Sequence, residues 1–260
     1  MVAEGGARAG PAPHHSVLPR SPLNPVLSVV LPCFNEEGNV RRYGAELLPA
    51  LDALGAPYEA LIVDDGSTDA TAAAAAALAA GRSAVKVVRL SPNRGLGAAL
   101  RAGFAQARGE WIATLDADLT FRPAALKDLL SAATAARADL VAGSPYLRPG
   151  DMAGVSWRRR LPSLMLNALY RGLFGLQLTS YTPVFRLYRA ARLRELDLTA
   201  EGFEINAEIA ARALLAGWTV AEVPAALECR TAGVSKLRRG RELARHARLI
   251  LRLLAAASSR

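Results

Sequence analysis

Lysine is nearly absent from this strongly basic chain. Only Lys86, Lys127 and Lys236 occur among 260 residues, so arginine carries nearly all of a formal charge of +9. That balance suits phosphate groups or an anionic membrane surface. The arginines are not interleaved with aromatic residues, which argues against nucleic acid as a partner. Cysteine is scarce as well. Cys33 and Cys229 are too few for a disulfide framework or a zinc site, and read as small buried hydrophobes of a reducing compartment. No stretch reaches the ~18 uncharged apolar residues of a membrane-spanning helix. Residues 1–24 lack the basic start and apolar centre of a signal peptide. Their Gly, Ala and Pro content reads as a disordered tail, in which His14 and His15 carry no metal role. Hydrophobic residues make up 52% and charged ones 21%, enough to bury a full core as one large domain or a domain with an appendage.

What is present is a regular alternation of strand and helix signals from residue 26 to about 143. Val26 to Leu31 is a short apolar β-branched run stopped by Pro32, the pattern of a buried parallel strand. A helix is expected from Glu37 to Leu54, then a strand Glu59 to Val63 and an Ala-rich helix capped by Ser67, Thr68 or Asp69 and stopped by Gly81. Val85 to Leu90 reads as a strand, Gly97 to Ala107 as a helix, Trp111 to Leu115 as a strand, Pro123 to Ala136 as a helix and Asp139 to Ala142 as a strand. Repeated βα units of this length imply an α/β domain with a mainly parallel sheet and helices on both faces. Ligands of such sheets bind at the carboxyl ends of the strands.

Two strands end there in carboxylates. Trp111 to Leu115 delivers Asp116-Ala117-Asp118, and Ala60 to Val63 delivers Asp64-Asp65-Gly66-Ser67-Thr68-Asp69. Two carboxylates one residue apart can share one hard divalent cation and, through it, a diphosphate. Asp118 alone could simply cap the next helix, but capping does not account for two acidic strand ends in one sheet. Gly95-Leu96-Gly97 begins like a dinucleotide fingerprint, yet Leu100 stands at the third glycine position and no acidic residue follows at the expected spacing. The glycines fit a turn that approaches a ligand or packs closely.

Beyond residue 145 the pattern loosens. Tyr146 to Trp157 is a Gly/Pro-rich loop, followed by Arg158-Arg159-Arg160 and an apolar helix, Leu161 to Phe174. Leu161, Leu164, Met165, Ala168, Leu169 and Leu173 recur at helical spacing, as core or as an arginine-flanked membrane contact. Between Leu237 and Leu254, Leu243, Ala247, Ile250, Leu251 and Leu254 fall on one helical face and Arg238, Arg241, Arg245, Arg248 and Arg252 on the opposite one. That helix either docks on the core with a solvated basic face or lies on a membrane; His246 reads as a surface residue.

Together these pieces resemble the family 2 glycosyltransferases of GT-A fold, within them the dolichol-phosphate mannosyltransferase and polyprenyl-phosphate glycosyltransferase group. The resemblance rests on Leu31-Pro32-Cys33-Phe34-Asn35-Glu36-Glu37, on Val63 to Asp69, on Asn93 to Ala99, on Leu115 to Leu119, on Phe185-Arg186-Leu187-Tyr188-Arg189 and on Ser235-Lys236-Leu237. It implies one GT-A domain over residues 25–236, with a nucleotide and metal half (25–145) and an acceptor half (146–236), followed by a basic amphipathic helix over 237–260. By the resemblance, Pro32, Phe34, Glu36, Val63 and Asp65 line the nucleotide pocket. Asp116 and Asp118 hold Mg²⁺ or Mn²⁺ on the diphosphate, with the backbone of Ala117 beside it. Arg230 and Lys236 match a basic pair used on phosphates, and Glu208 falls where relatives keep an acidic residue near the acceptor, unless it is a solvated helix carboxylate. The implied reaction is an inverting transfer from a nucleotide-sugar (GDP-mannose or a UDP-sugar) to a polyprenyl phosphate at the cytoplasmic membrane face, with a membrane-embedded partner subunit as a further expectation. The same fold acting on a hydroxyl acceptor, or a non-catalytic subunit, are the alternatives.

Departures from the family pattern cluster on the acceptor and sugar side. Thr120 replaces a common Gln, Ser144-Pro145-Tyr146 lacks a phosphate-binding arginine for which the neighbouring Arg148 is a candidate substitute, and Ser180-Tyr181-Thr182-Pro183-Val184 lacks the usual acidic residue. The nucleotide and metal motifs are intact.

Overall fold

The computed structural model describes residues 26–152, 155, 157–228 and 239–258. Seven strands form one sheet: β1 (Leu27–Cys33), β2 (Tyr58–Asp65), β3 (Val85–Leu90), β4 (Trp111–Thr114), β5 (Leu140–Ser144), β6 (Arg186–Arg189) and β7 (Val220–Pro224). Their spatial order is β3-β2-β1-β4-β6-β5-β7, and only β6 runs against its neighbours. Strands buried on both faces explain the unbroken apolar runs that mark β1 and β2 in the sequence. Successive β1 residues point to opposite faces, so Val29 and Leu31 join one core and Val30 the other.

The helices that cover those faces are α1 (Glu37–Val40), α2 (Tyr43–Glu46), α3 (Leu48–Asp52), α4 (Thr71–Gly81), α5 (Leu96–Gln106), α6 (Leu126–Ala135), α7 (Trp157–Phe174), α8 (Ala190–Arg194), α9 (Ile205–Leu215) and α10 (Arg239–Ser258). The single helix expected over 37–54 is instead the three short segments α1, α2 and α3. Pro49 sits in the first turn of α3, where its missing N–H is tolerated; inside one long helix it would break the ladder. Pro32 does not end β1, which pairs with β2 as far as Cys33 opposite Asp64.

Two helices face the opposite way from a simple core reading. The periodic residues of α7 point outward: Leu161 is 46% exposed, Met165 65% and Leu169 48%. Its inward side is Asn167, Tyr170 and Phe174. On α10 the residues inserted into the core are His246, Leu249 and Leu253, while Leu243 and Leu251 are each 67% exposed. His246 is therefore not the surface residue expected. It is buried, its Nδ1 lies 2.9 Å from Tyr170 Oη, and burial pushes its pKa down to about 4. Its ring joins α10 to α7.

Candidate active site

Because β1, β2 and β4 are parallel neighbours, their carboxyl ends lie side by side, and three loops meet there. The loop after β1 is stitched to the loop after β2. Asn35 N donates to Ser67 Oγ (2.9 Å), Thr68 N to Asn35 Oδ1 (2.8 Å) and Glu36 N to Thr71 Oγ1 (2.8 Å). Asn39 Nδ2 donates to Glu36 Oε2 (2.6 Å), fixing that carboxylate. Pro32, Phe34 and Glu36 are half-buried at this edge, as a pocket wall requires. Val63 is different: it is wholly buried in the core, its side chain against the position where Gly103 has no Cβ. The resemblance implied a place for Val63 in the pocket wall; its side chain lies in the core beneath this edge.

The acidic residues divide by role. Asp64 is fully buried; Oδ1 accepts from Ser67 N (3.0 Å) and Oδ2 faces Arg89 Nε at 3.5 Å. Asp65 accepts from Arg94 N (2.9 Å), Gly95 N (2.7 Å) and Asn93 Nδ2 (2.9 Å), and so holds the glycine turn at the head of α5. Burial pushes its carboxyl above the usual range, joined by the charge of Asp64 and opposed by the Arg94 and Gly95 amides. The turn itself packs against the chain at 199–201: Gly97 N donates to Glu201 O (2.7 Å), and a Cβ on Gly97 would meet Ala200 O at 2.2 Å. The glycines thus serve close packing, one of the two roles expected of them.

Glu208 supports that same contact. It is fully buried, not solvated, and its carboxylate accepts from Ala200 N (2.8 Å), Thr199 N and Thr199 Oγ1, with Arg212 alongside. Those bonds make it a positioning group for the 199–200 backbone.

Asp116 and Asp118 occupy the tight turn that ends β4, where Leu119 N donates to Asp116 O and Leu119 adopts φ 52°. Asp118 Oδ1 accepts from Thr120 N (3.1 Å) and Thr120 Oγ1 (2.6 Å). Thr120, a departure from the family pattern, therefore keeps the second carboxylate oriented. Tyr43 Oη reaches across from α2 to donate to Ala117 O (2.9 Å). Burial raises the Tyr43 phenol well above its ordinary value, with Cys33, Glu36 and Asp118 adding to it, so it remains a donor. No sequence signal links Tyr43 to a turn 74 residues away. Among the described residues no group of three or more His, Cys, Asp or Glu side chains gathers as a metal cage. Two hard oxygen ligands with one oriented by Thr120 fit a cation that completes its shell from a diphosphate and water.

On the acceptor side, Arg186 is fully buried. It donates to the carbonyls of Asn206 and Ser180 where the family's acidic residue is missing. Glu222 takes the amides of Thr179 (2.8 Å) and Ser180 (3.2 Å). The described chain after β7 runs to Glu228, whose N–H donates to Thr120 O (2.9 Å). Arg230 and Lys236 lie outside the described residues, as do Cys229 and the segment 1–25.

The fold and the motifs at this edge are those of a glycosyltransferase. The Glycosyl transferase family 2 model matches residues 28–197, and the chain belongs to that family; it is a glycosyltransferase. Polyprenol monophosphomannose synthase of Mycolicibacterium smegmatis is 35% identical over 221 residues, 80% of this chain and 80% of that one. Dodecaprenyl-phosphate galacturonate synthase of Rhizobium johnstonii is 34% identical over 177 residues, 67% of this chain but 51% of the relative, so the chain spans about half its length. Among solved structures, glucosyl-3-phosphoglycerate synthase from Mycobacterium tuberculosis, in complex with Mn²⁺, UDP and phosphoglyceric acid, superposes with a TM-score of 0.64 at 22% identity. It covers 90% of this chain and 78% of that one, a likeness of fold. The expected GT-A architecture is thereby met.

Proposed function

We propose that the protein transfers a sugar, with inversion, from a nucleotide-sugar to a polyprenyl phosphate at the inner face of a membrane, with Mg²⁺ or Mn²⁺. The observation that carries this is the Asp116/Asp118 pair at the carboxyl edge of β4, beside the Asp65-anchored turn. Asp116 and Asp118 would hold a divalent cation there, and such a cation would supply charge neutralisation for a leaving diphosphate. The chain's own residues do the rest. Thr120 and Tyr43 fix the turn that presents the carboxylates, and Asp65 with the loops at 33–37 and 64–71 shapes a rigid donor wall. A phosphate acceptor is already anionic, so no strong general base is needed at C1. That fits a chain whose buried Glu208 is engaged by the Thr199 and Ala200 amides, the Thr199 hydroxyl and Arg212. Relatives named for polyprenol phosphomannose and dodecaprenyl-phosphate galacturonate synthesis support the acceptor class.

Membrane contact is supported by the outward Leu243 and Leu251 of α10, which lie on the same helix as exposed Arg241, Arg248 and Arg252. No helix among the described residues is long and apolar enough to cross a membrane. The test is a screen of purified protein with GDP- and UDP-sugars, Mg²⁺ or Mn²⁺, and either a short polyprenyl phosphate or a sugar alcohol. Metal-dependent product on the lipid phosphate is expected. Product on the hydroxyl acceptor alone would replace this reading with the hydroxyl-transferring one.

A further inference from the structure

Residues 199–203, between α8 and α9, form the middle of three stacked layers, and a glycine permits the close approach on either side. On one side lies the turn that Asp65 holds. A Cβ on Gly95 would collide with Glu201 O, and one on Gly97 with Ala200 O. Gly97 N donates to Glu201 O at 2.7 Å, and Arg101 of α5 donates to Ala200 O. On the other side lies α10, where a Cβ on Gly202 would collide with the Arg245 guanidinium and the Glu204 carboxylate. Layers packed this tightly pass a displacement on, because there is no slack between them to absorb it.

α10 grips this segment at both ends. Glu242 Oε2 accepts from Phe203 N at 3.4 Å, while its Oε1 accepts from Arg245 Nη1 at 3.2 Å. Ten residues along the helix, Arg252 Nη1 donates to Thr199 Oγ1 at 3.0 Å. At helical spacing, positions 242, 245 and 252 flank the core residues His246, Leu249 and Leu253, so the grip belongs to the inward side of α10. The side chains of Glu242 and Arg245 are only 13% and 15% exposed, which shields their ion pair from water. From the opposite edge, Glu208 takes the amides of Thr199 and Ala200. The segment is thus held between α9, α10 and the Asp65-anchored turn.

We propose that Glu242 and Arg252 of α10 are positioning residues for the nucleotide-sugar, acting through residues 199–203 on the turn at Gly95 and Gly97. The identity of the ligand at that turn rests on the proposed function. Neither side chain bonds the turn itself; each fixes one end of the segment against which the turn packs. With both bonds cut, the segment is held from the α9 side alone, and the turn opens more often. The loss falls on donor binding, because the grip ends at the donor turn and not at the loop after β5.

The double variant Glu242→Ala/Arg252→Ala removes both bonds and leaves the net charge of the chain unchanged. Full-length wild type and variant are compared by hydrogen exchange, and by calorimetry with GDP-mannose and UDP-glucose in the presence of Mn²⁺. Amides of residues 93–101 should exchange at least ten-fold faster in the variant, with those of β1 and β2 unaltered. The Kd and KM for the nucleotide-sugar should rise at least five-fold, while the KM for a short polyprenyl phosphate holds. Glu242→Gln/Arg252→Lys keeps an acceptor and a donor in place and should restore both readouts. If the double variant loses its cooperative unfolding transition, Arg252→Ala, at an exposed position, is judged by the same criteria. Unaltered exchange at 93–101 overturns the proposal. So does a donor defect that the conservative pair does not restore, or one matched by an equal rise in the acceptor KM. Faster exchange at the turn in a protein whose wild type binds neither nucleotide-sugar supports the link from α10 and removes the donor named in the proposed function.

Discussion

Asp118→Asn separates the chemistry of the site from its architecture. In the native turn Asp118 Oδ1 alone takes both bonds from Thr120, at 3.1 Å from N and 2.6 Å from Oγ1. An asparagine keeps that oxygen and its volume, replacing only the other one by an amide. The turn should persist, with a stability loss within about 1 kcal/mol, the net worth of a typical hydrogen bond. The cation site fares worse, because one of only two candidate carboxylates has lost its charge and an oxygen. Metal stabilisation of a leaving oxyanion is worth several kcal/mol. Losing about 3–4 kcal/mol of it lowers turnover by roughly 10²–10³-fold. Initial rates at saturating nucleotide-sugar, across a Mn²⁺ or Mg²⁺ titration, measure this, and urea unfolding monitors the fold. A variant with wild-type rate and metal dependence would refute the assignment. So would a rate loss matched by collapse of the unfolding midpoint, since the damage would then be structural.

Other consequences are as direct. Asp65→Ala releases the Asn93–Gly95 turn and should weaken nucleotide-sugar binding by calorimetry without altering the preference between Mg²⁺ and Mn²⁺; unchanged affinity would place Asp65 outside the donor wall. Gly97→Ala sets a Cβ 2.2 Å from Ala200 O, and separating two backbones costs about 1–3 kcal/mol, read as a Tm lower by roughly 2–10 °C; an unchanged Tm would contradict the close approach. His246 is held neutral with a pKa near 4, so the unfolded chain takes up a proton around pH 6.5 that the folded state accepts only at lower pH. Its contribution is whole above about pH 6.5 and is lost as pH falls toward 4, by up to about 3 kcal/mol. His246→Gln should flatten that portion of the urea midpoint against pH, and an unaltered curve would count against the buried neutral ring.

The acidic strand ends at 64–65 and 116–118 were legible in the sequence because their signals are local. A parallel strand buried on both faces shows as an apolar run, and a carboxylate placed directly after it lands at the sheet's carboxyl edge, as Asp64, Asp65 and Asp116 do. What was not legible depends on contacts distant in sequence or on which way a helix faces. Periodicity marks Leu161, Met165 and Leu169 as one stripe of α7, but cannot say whether the stripe points in or out. The answer came from Tyr170 and Phe174, which occupy the inward side. Glu208 carries no sequence signal for its bonds to the 199–200 backbone, which form only through folding. Tyr43 carried no signal at all, since its bond to Ala117 crosses from α2 to the end of β4. The break of the 37–54 helix was foreshadowed by Pro49, whose effect depends on where each turn begins.

The same outward and inward faces decide how the membrane reading must be tested. Removing α10 is the obvious experiment, but it is a poor one. That helix supplies Leu249 and Leu253 to the core, and Arg252 Nη1 donates to Thr199 Oγ1 (3.0 Å), beside the strand of chain that packs on the donor turn. Deletion would thus disturb nucleotide binding and membrane binding together. Leu243→Glu with Leu251→Glu alters only side chains that are each 67% exposed, so the fold should be untouched. Burying a leucine in an apolar phase contributes about 1.5–3 kcal/mol, and each new carboxylate is repelled by an anionic surface that attracts Arg241 and Arg248. Affinity for anionic vesicles should fall by two or more orders of magnitude, with salt releasing the wild type in part. Transfer to vesicle-embedded polyprenyl phosphate should fall with it, whereas transfer to a short, water-soluble analogue should hold. Undiminished sedimentation of the double variant with vesicles would remove α10 as the anchor and leave the uncharged face of α7 to meet the bilayer alone.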